Sequence, residues 1–402
     1  MTPLNFGSVG LGGYAGFICD LLLAESAGEN PAIRLTAVCE PDQTTHGQKI
    51  TSLRDAGIQV FDSYDELLKQ DLAALWLPLP IDLHRPFTEK ALSAGKSVMC
   101  EKPAAGTVDD LDAMAAQQKR TGQRLAFGFQ DIYSPLTHDL KRRLLGGDLG
   151  QIQSASLYAC WPRGSAYYRR ASWAGALQRD GHWVLDSPPQ NAMAHYLNLA
   201  LFLLGPTEQH SANPQSVDAE LYRINPITNY DTCALRITAA DVPLTVLMTH
   251  ACASEVHPRL VIRGTKGVIR IRAFAGAEVE IGGRTESLNW PQSIHSHMVR
   301  SFAAWVRGDD PQIVATTAVA RAHLVVINGA SEAAPITTIS KSAVEEIPQQ
   351  DGTLRTIRGI EKLFEQCADK NQLLSESGLV PWAARPASRD LRNYTHFAGA
   401  KG

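Results

Sequence analysis

Through roughly its first 130 residues the chain alternates short apolar runs with amphipathic stretches. "LNFGSVG", "IRLTAVCE", "KSVMCEKP" and "RLAFGFQ" read as strands, and "LAALWLPLP" is fully apolar, the pattern of a strand buried on both faces. Between them "AGFICDLLLAES", "PFTEKALSAG" and "TVDDLDAMAAQQKRTG" carry helical spacing. The second of these ends at a glycine suited to a C′ position, and the third opens on a threonine suited to capping. Such alternation predicts βαβ units and a parallel sheet of about five or six strands.

Beyond the helix "LTHDLKRRLLGG" the period changes. "QIQSASLYACW", "DTCALRITA", "PLTVLMTHACA", "RLVIRGTKGVIRIRA" and "AEVEIGG" alternate, which predicts antiparallel strands with one polar face. An apolar helix is predicted over 190–204 and a longer one over 315–334. From about 352, "LRTIRGIEKLFEQCADKNQLL" reads as one amphipathic helix, followed by a Pro- and Arg-containing tail without a period. The expected organisation is an NAD-binding α/β domain over 1–130, a second α/β domain for substrate binding and oligomerisation over 131–350, and a helical extension over 351–402.

Composition removes several functions. The formal net charge is −3 and no basic run occurs, so a nucleic-acid partner is not expected. The apolar run "LNLALFLLG" is too short to span a bilayer, so no membrane partner is expected. The first residues have neither a basic n-region nor an apolar h-region, which argues against a secretory signal. Seven cysteines at scattered spacings suggest neither a disulfide framework nor a zinc site, and the expected compartment is the cytoplasm.

The first chemical motif is "GLGGYAG", with Gly10, Gly12 and Ala15 in G-x-G-x-x-A register after a strand and at a helix start. Gly10 permits the tight turn, and Gly12, Gly13 and Tyr14 bring backbone N–H groups towards a pyrophosphate. Ala15 is small enough for helix-on-strand packing. Glu40, 25 residues after Ala15, closes the second strand, where a carboxylate accepts from ribose hydroxyls and repels a 2′-phosphate. No arginine follows it, so the expected cofactor is NAD in preference to NADP. Pro80, His84 and the triplet Glu101-Lys102-Pro103 fall at the ends of successive predicted strands, the edge where open parallel sheets take ligands.

P-x-x-x-H, then A-L-x-x-G-K, then E-K-P-x-A, after a glycine fingerprint, resembles the glucose–fructose oxidoreductase/inositol dehydrogenase/rhizopine-catabolism (Gfo/Idh/MocA) family over roughly residues 4 to 335. The resemblance implies an N-terminal Rossmann domain and a C-terminal α/β domain with an open, predominantly antiparallel sheet. It also implies that Lys102 sits beside the nicotinamide and hydrogen-bonds the reacting substrate oxygen, and that Gln130 takes a cofactor-side position. A lysine next to oxidised nicotinamide has its own charge disfavoured, which suits proton exchange.

The family carries D-x-x-x-H-x-x-D on a helix at the start of its second domain, and "NAMAHYLN" aligns with it. His195, ten residues before Gly205, takes the general-base position; Asn191 and Asn198 stand at the two acid positions. On one helix the three would share a face. Amides can hold a tautomer and bind hydroxyls but cannot carry a proton, and Asp186 is a candidate for the missing carboxylate. The segment Trp161–Trp183 gathers Trp161, Arg163, Tyr167, Tyr168, Arg169, Arg170 and Trp173, side chains suited to walling a sugar pocket. Thr249 and His250 end a strand, with solvent or a neighbouring subunit as their expected surroundings. His295 and His297 have no further ligand set, so no metal is expected.

These features lead to the expectation of a cytoplasmic, NAD-dependent oxidoreductase. It would act on a secondary hydroxyl of a sugar, polyol or glycoside and assemble as a homodimer or homotetramer. The alternatives are a redox-neutral NAD-dependent glycosidase of the same family and a non-enzymatic NAD- and sugar-sensing regulator.

Overall fold

A computed structural model describes residues 2–309 and 314–401. In chain order it begins β1 (Leu4–Val9), α1 (Gly13–Ser26), β2 (Ile33–Cys39), α2 (Gly47–Asp55), β3 (Gln59–Phe61), α3 (Tyr64–Leu68), β4 (Ala74–Leu77), α4 (Ile81–Ser93), β5 (Ser97–Cys100), α5 (Val108–Thr121) and β6 (Leu125–Phe127). All six strands are parallel, in the order β3-β2-β1-β4-β5-β6. The order reverses between β1 and β4, the switch point at which doubly wound sheets open a crevice at their strand C-termini. β4 and β5 are buried at every position, and the unbroken apolar run of β4 follows from cover on both faces.

The chain continues with α6 (Pro135–Leu145), β7 (Ile152–Cys160), α7 (Ser165–Arg169), the short hairpin β8 (Gln178–Arg179) and β9 (His182–Trp183), α8 (Ala194–Leu203) and β10 (Pro214–Arg223). Then come β11 (Thr232–Ala239), β12 (Val242–Thr249), β13 (Val256–Gly264), β14 (Gly267–Arg272), β15 (Gly276–Ile281), β16 (Arg284–Leu288), α9 (Ile294–Arg307) and α10 (Thr317–Ala333). The last elements are β17 (Ile336–Thr338), β18 (Val344–Gln349), β19 (Gly352–Ile357), α11 (Ile360–Lys370) and β20 (Ala387–Asp390). A ten-stranded sheet runs β16-β15-β14-β13-β7-β12-β11-β10-β17, with β20 also on β10. It is antiparallel except at β7–β12 and β10–β17.

Two compact units result. The first holds the chain to Ala105, Asp110–Ser134 and Gln292–Thr317; the second holds Gly106–Asp109, Pro135–Pro291 and the chain from Ala318. The units are therefore not consecutive. α9, absent from the elements expected, joins the first unit: its Phe302 lies edge-on to Phe6 at 5.8 Å and to Trp76 at 6.3 Å. Such pairs contribute about 0.5–1.5 kcal/mol beyond area burial.

Residues 351–402, expected as a separate helical extension, fall within the second unit. "LRTI" is not helical; it forms β19, paired antiparallel with β18. α11 places Ile360, Leu363, Phe364, Cys367 and Ala368 on one stripe, the i, i+3, i+4, i+7, i+8 spacing of a buried helix face. That stripe packs with Tyr158, Cys160, Tyr222, Ala234 and Leu247 of the sheet. From Ala155 to Cys160 every residue of β7 is buried, and a period-two strand has that pattern only where both faces are covered. The sheet is open-edged, but around β7 it lacks the bare polar face expected from the alternation. Among the described residues no helix is long and apolar enough to cross a membrane.

Candidate active site

In the first unit the glycine turn is built by backbone. Gly10 has φ +86°, and a Cβ there would stand 3.1 Å from the Ala15 Cβ. Gly13 has φ +52°, and a Cβ on Gly16 would stand 2.7 Å from the Leu11 carbonyl, so helix and turn meet without side chains between them. Gly12 caps α1 with no side-chain hydrogen bond, and the first turn holds no acid. The helix N-terminus thus keeps its N–H groups and positive end for an anion, which fits the diphosphate of NAD.

Glu40 is buried at the end of β2, with Oε2 accepting the Leu11 N–H at 2.7 Å and Oε1 the Asp42 N–H at 2.8 Å. It ties the strand end to the glycine turn, and each oxygen retains a lone pair. His46, which the sequence did not single out, stands 3.9 Å from Glu40 Oε2 and flanks Gly12. Tyr14 is 42% exposed and stacks on Phe17 at 5.5 Å.

Pro80 caps the N-terminus of α4. His84, expected at the cofactor, is a correction: its ring is fully buried, with Nδ1 2.9 Å from the Pro103 carbonyl and Nε2 2.8 Å from the Leu79 carbonyl. Burial lowers its pKa, so the ring stays neutral and ties α4 to the turn after Lys102. Glu101 also turns inward. It accepts from Trp76 Nε1 at 3.0 Å and from the Lys102 N–H at 3.3 Å, and a Cβ on Gly128 would collide with its carboxylate. Burial raises its pKa to about 7. Lys102 itself is half-buried just past β5, and Gln130 opens the turn after β6. Both stand at carboxyl ends of strands in the first sheet.

In the second unit α8 begins only at Ala194, so Asn191, His195 and Asn198 do not share one helical face. Asn191 lies in the preceding turn, where its Nδ2 donates to Asp186 Oδ1 at 2.7 Å. Asp186 Oδ2 accepts the Gly175 N–H at 2.6 Å, so this carboxylate anchors Asn191 and the loop together. Asn198 is a second correction: it is fully buried and donates to the Val319 carbonyl at 3.3 Å, joining α8 to α10 instead of meeting a substrate. His195 is half-buried in the first turn of α8. The Tyr196 ring lies 6.4 Å from that of His195 and 6.0 Å, edge-on, from Trp161. At the other end of α8 the buried Lys141, unremarked in the sequence, donates to the Gly205 carbonyl at 2.6 Å.

Side chains of the Trp161–Trp183 segment cluster around Tyr167. The Arg170 guanidinium lies 3.5 Å from its ring centroid and 4.7 Å from that of Trp173, and Arg163 lies 4.9 Å from Tyr167. His250 corrects the expectation of solvent: it is buried, 5.8 Å from Tyr167, with Nδ1 2.9 Å from the Trp161 carbonyl. Burial, reinforced by Arg163 and Arg170, pushes its pKa down to about 3. The signal was the register: Thr249 pairs with Cys160, so β12 delivers His250 beside Trp161. The C-terminal segment holds this wall from outside. Ser165 Oγ accepts the Thr353 N–H at 3.0 Å, and Phe397 packs edge-on against Trp183 at 5.2 Å. Among the described residues no cluster of His, Cys, Asp or Glu suits a metal ion.

Comparison with known proteins bears on both units. Residues 4–129 match the oxidoreductase family with NAD-binding Rossmann fold, Gfo/Idh/MocA, and residues 137–270 match the C-terminal domain of that family. The chain is 31% identical over 133 residues to dTDP-3,4-didehydro-2,6-dideoxy-alpha-D-glucose 3-reductase of Streptomyces violaceoruber, covering 32% of this chain and 39% of that one. It is 25% identical over 221 residues to D-glucoside 3-dehydrogenase of Escherichia coli (strain K12), covering 54% of this chain and 58% of the relative. The matches thus span less than two thirds of either relative. The WlbA dehydrogenase from Bordetella pertussis, solved in complex with NADH and UDP-GlcNAcA, shares the fold with a TM-score of 0.66 at 22% identity, over 82% of this chain and 97% of that one. With both of its domains matched and the glycine turn shaped for a dinucleotide, the chain belongs to the Gfo/Idh/MocA oxidoreductase family and carries an NAD-binding Rossmann domain.

Proposed function

We propose that this protein is an NAD-dependent dehydrogenase acting on a secondary hydroxyl of a sugar, polyol or glycoside. The observation that carries the reading is Lys102 just past β5, at the carboxyl edge of an NAD-binding Rossmann sheet, held there by Glu101 and by His84. The relatives named above act on sugars, which supports the substrate class.

Bound NAD supplies the acceptor for the hydride that leaves the carbinol carbon. His195 takes the hydroxyl proton, and Lys102 donates a hydrogen bond to the oxygen as negative charge develops on it. Asn191, fixed by Asp186, orients a substrate hydroxyl, and Trp161, Trp173 and Arg163 provide the surface on which the ring rests. The reading includes a cytoplasmic homo-oligomer, homodimer or homotetramer. Seven buried, unpaired thiols suit a reducing compartment. Because α11 covers the sheet around β7 and β12, assembly is left to the edge strand β16 and the charged strands β13–β15.

The test is nicotinamide absorbance during incubation of the protein and NAD with a panel of neutral and acidic hexoses, inositols and glycosides. NADH formation with at least one compound is expected. Release of a leaving group from aryl glycosides with no absorbance change would overturn this reading in favour of redox-neutral cleavage, and binding of sugar with neither change would favour a sensor.

A further inference from the structure

The arginines of the wall are not equivalent. Arg169 turns towards the C-terminal segment, where its guanidinium donates to the Asp351 carbonyl at 2.5 Å, whereas Arg163 and Arg170 lie over the Tyr167 ring. Arg163 donates from Nη1 to the adjacent Pro162 carbonyl at 3.2 Å and hydrogen-bonds the Tyr167 hydroxyl, while its Nε–H is buried with no acceptor among the described residues. Arg170 donates from Nη1 to the Tyr167 carbonyl at 2.7 Å. Arg163 is half-buried and Arg170 is exposed, so each keeps guanidinium donors that no protein group among the described residues occupies.

Neither charge is balanced by protein. Among the described residues no carboxylate lies within ion-pair distance of Arg163 or Arg170. The buried acids of the neighbourhood are engaged elsewhere: Asp186 with Gly175 and Asn191, Asp231 with the Ile224 and Asn225 N–H groups. His250 is neutral and offers no counter-charge. Yet both cations are drawn to one ring, Tyr167, where a cation–π contact is a weak attraction beside the repulsion of two like charges. Two like charges gathered at one partly buried ring are favourable chiefly when an anion joins them.

We infer that Arg163 and Arg170, gathered on Tyr167, form a subsite for an anionic oxygen group, carboxylate or phosphate, carried by the sugar. The inference rests on the reading of the second unit as the sugar site. It specifies that reading: the preferred substrate is an acidic or phosphorylated sugar, with the guanidinium forks on the anion and the Trp161 and Trp173 faces beside the ring.

The test is isothermal titration of the full chain, with NAD present, with gluco-, galacto- and manno-configured uronates, the corresponding hexose 6-phosphates and the neutral hexoses. At least one anionic sugar should bind about tenfold more tightly than its neutral counterpart. Arg170→Met should remove most of that preference and leave the affinities for NAD and for the neutral sugar unchanged, and Arg163→Met, which also touches the ring surface, should weaken the anionic sugar about tenfold more than the neutral one and leave NAD affinity unchanged. Arg169→Met should leave the preference intact. A response to uronates identifies the group as a carboxylate, and a response to the 6-phosphates identifies it as a phosphate. Equal binding of charged and neutral sugars, or an equal loss for both in the two variants, would overturn the inference while leaving the dehydrogenase reading standing. If no sugar of any charge binds or changes nicotinamide absorbance, the dehydrogenase reading fails and the subsite with it.

Discussion

At the turn after β1, shape comes from what is absent: Gly10, Gly12, Gly13 and Gly16 let the backbone bend and approach closely within seven consecutive positions. At the wall of the second unit, shape comes from side chains that converge from remote parts of the chain. Tyr167 meets His250 just past β12, Ser165 meets Thr353 of β19, and Trp183 meets Phe397 of the tail. A site made by backbone depends on local residues. A site made by side chains depends on everything that holds them, including a C-terminal segment that lies beyond the matched residues 137–270.

The contrast predicts where each unit is fragile. Phe364→Ala empties the centre of the α11 cluster and should destabilise the second unit by about 3–5 kcal/mol. Denaturant unfolding should show that loss while NAD still protects the first unit. In the first unit the largest effect is one of pH. Glu101 has its folded pKa raised to about 7 from an ordinary value of 4.5, so its contribution is fully present below pH 4.5 and is lost as pH rises through 7. The difference of 2.5 at about 1.36 kcal/mol each gives on the order of 3 kcal/mol. Stability measured at pH 5 and pH 8 should therefore fall more for the wild type than for Glu101→Gln, by an amount of that order.

Smaller effects sharpen the contrast. Gly10→Ala forces an L-residue into φ +86° against Ala15 and should cost about 1–2 kcal/mol. It should weaken NAD binding in a titration and leave sugar affinity untouched. Ser165→Ala removes one hydrogen bond between the wall and β19, worth about 0.5–1.5 kcal/mol. It should raise KM for the sugar several-fold and leave NAD affinity unchanged.

How much could be read from residues alone follows the same division. The parallel sheet was legible because β1, β2, β4 and β5 are apolar runs bounded by turns, and the glycine turn because its residues are neighbours. α9 was not, since its apolar stripe completes a sheet that lies far back in the sequence. His84 and Asn198 carry the residue types of a binding site, yet backbone carbonyls that only the folded chain brings near take both ring nitrogens of His84 and the Nδ2 of Asn198. Asn191 was read as part of a helix because nothing in "NAMAHYLN" marks a start at Ala194; the anchor on Asp186 sets its position instead. "LRTI" has helical spacing in isolation and becomes a strand because β18 lies beside it. His250 was legible only through the pairing of β12 with β7.

The central claim is that Lys102 and His195, one at the end of β5 and one in the first turn of α8, handle the proton of the sugar hydroxyl. It is tested most directly by NADH formation at saturating NAD and sugar in Lys102→Ala and His195→Ala. Each substitution should lower kcat at least about a hundredfold, the range expected for loss of a general acid–base group, with the Kd for NAD changed less than about threefold. Wild-type kcat in either variant would contradict the account.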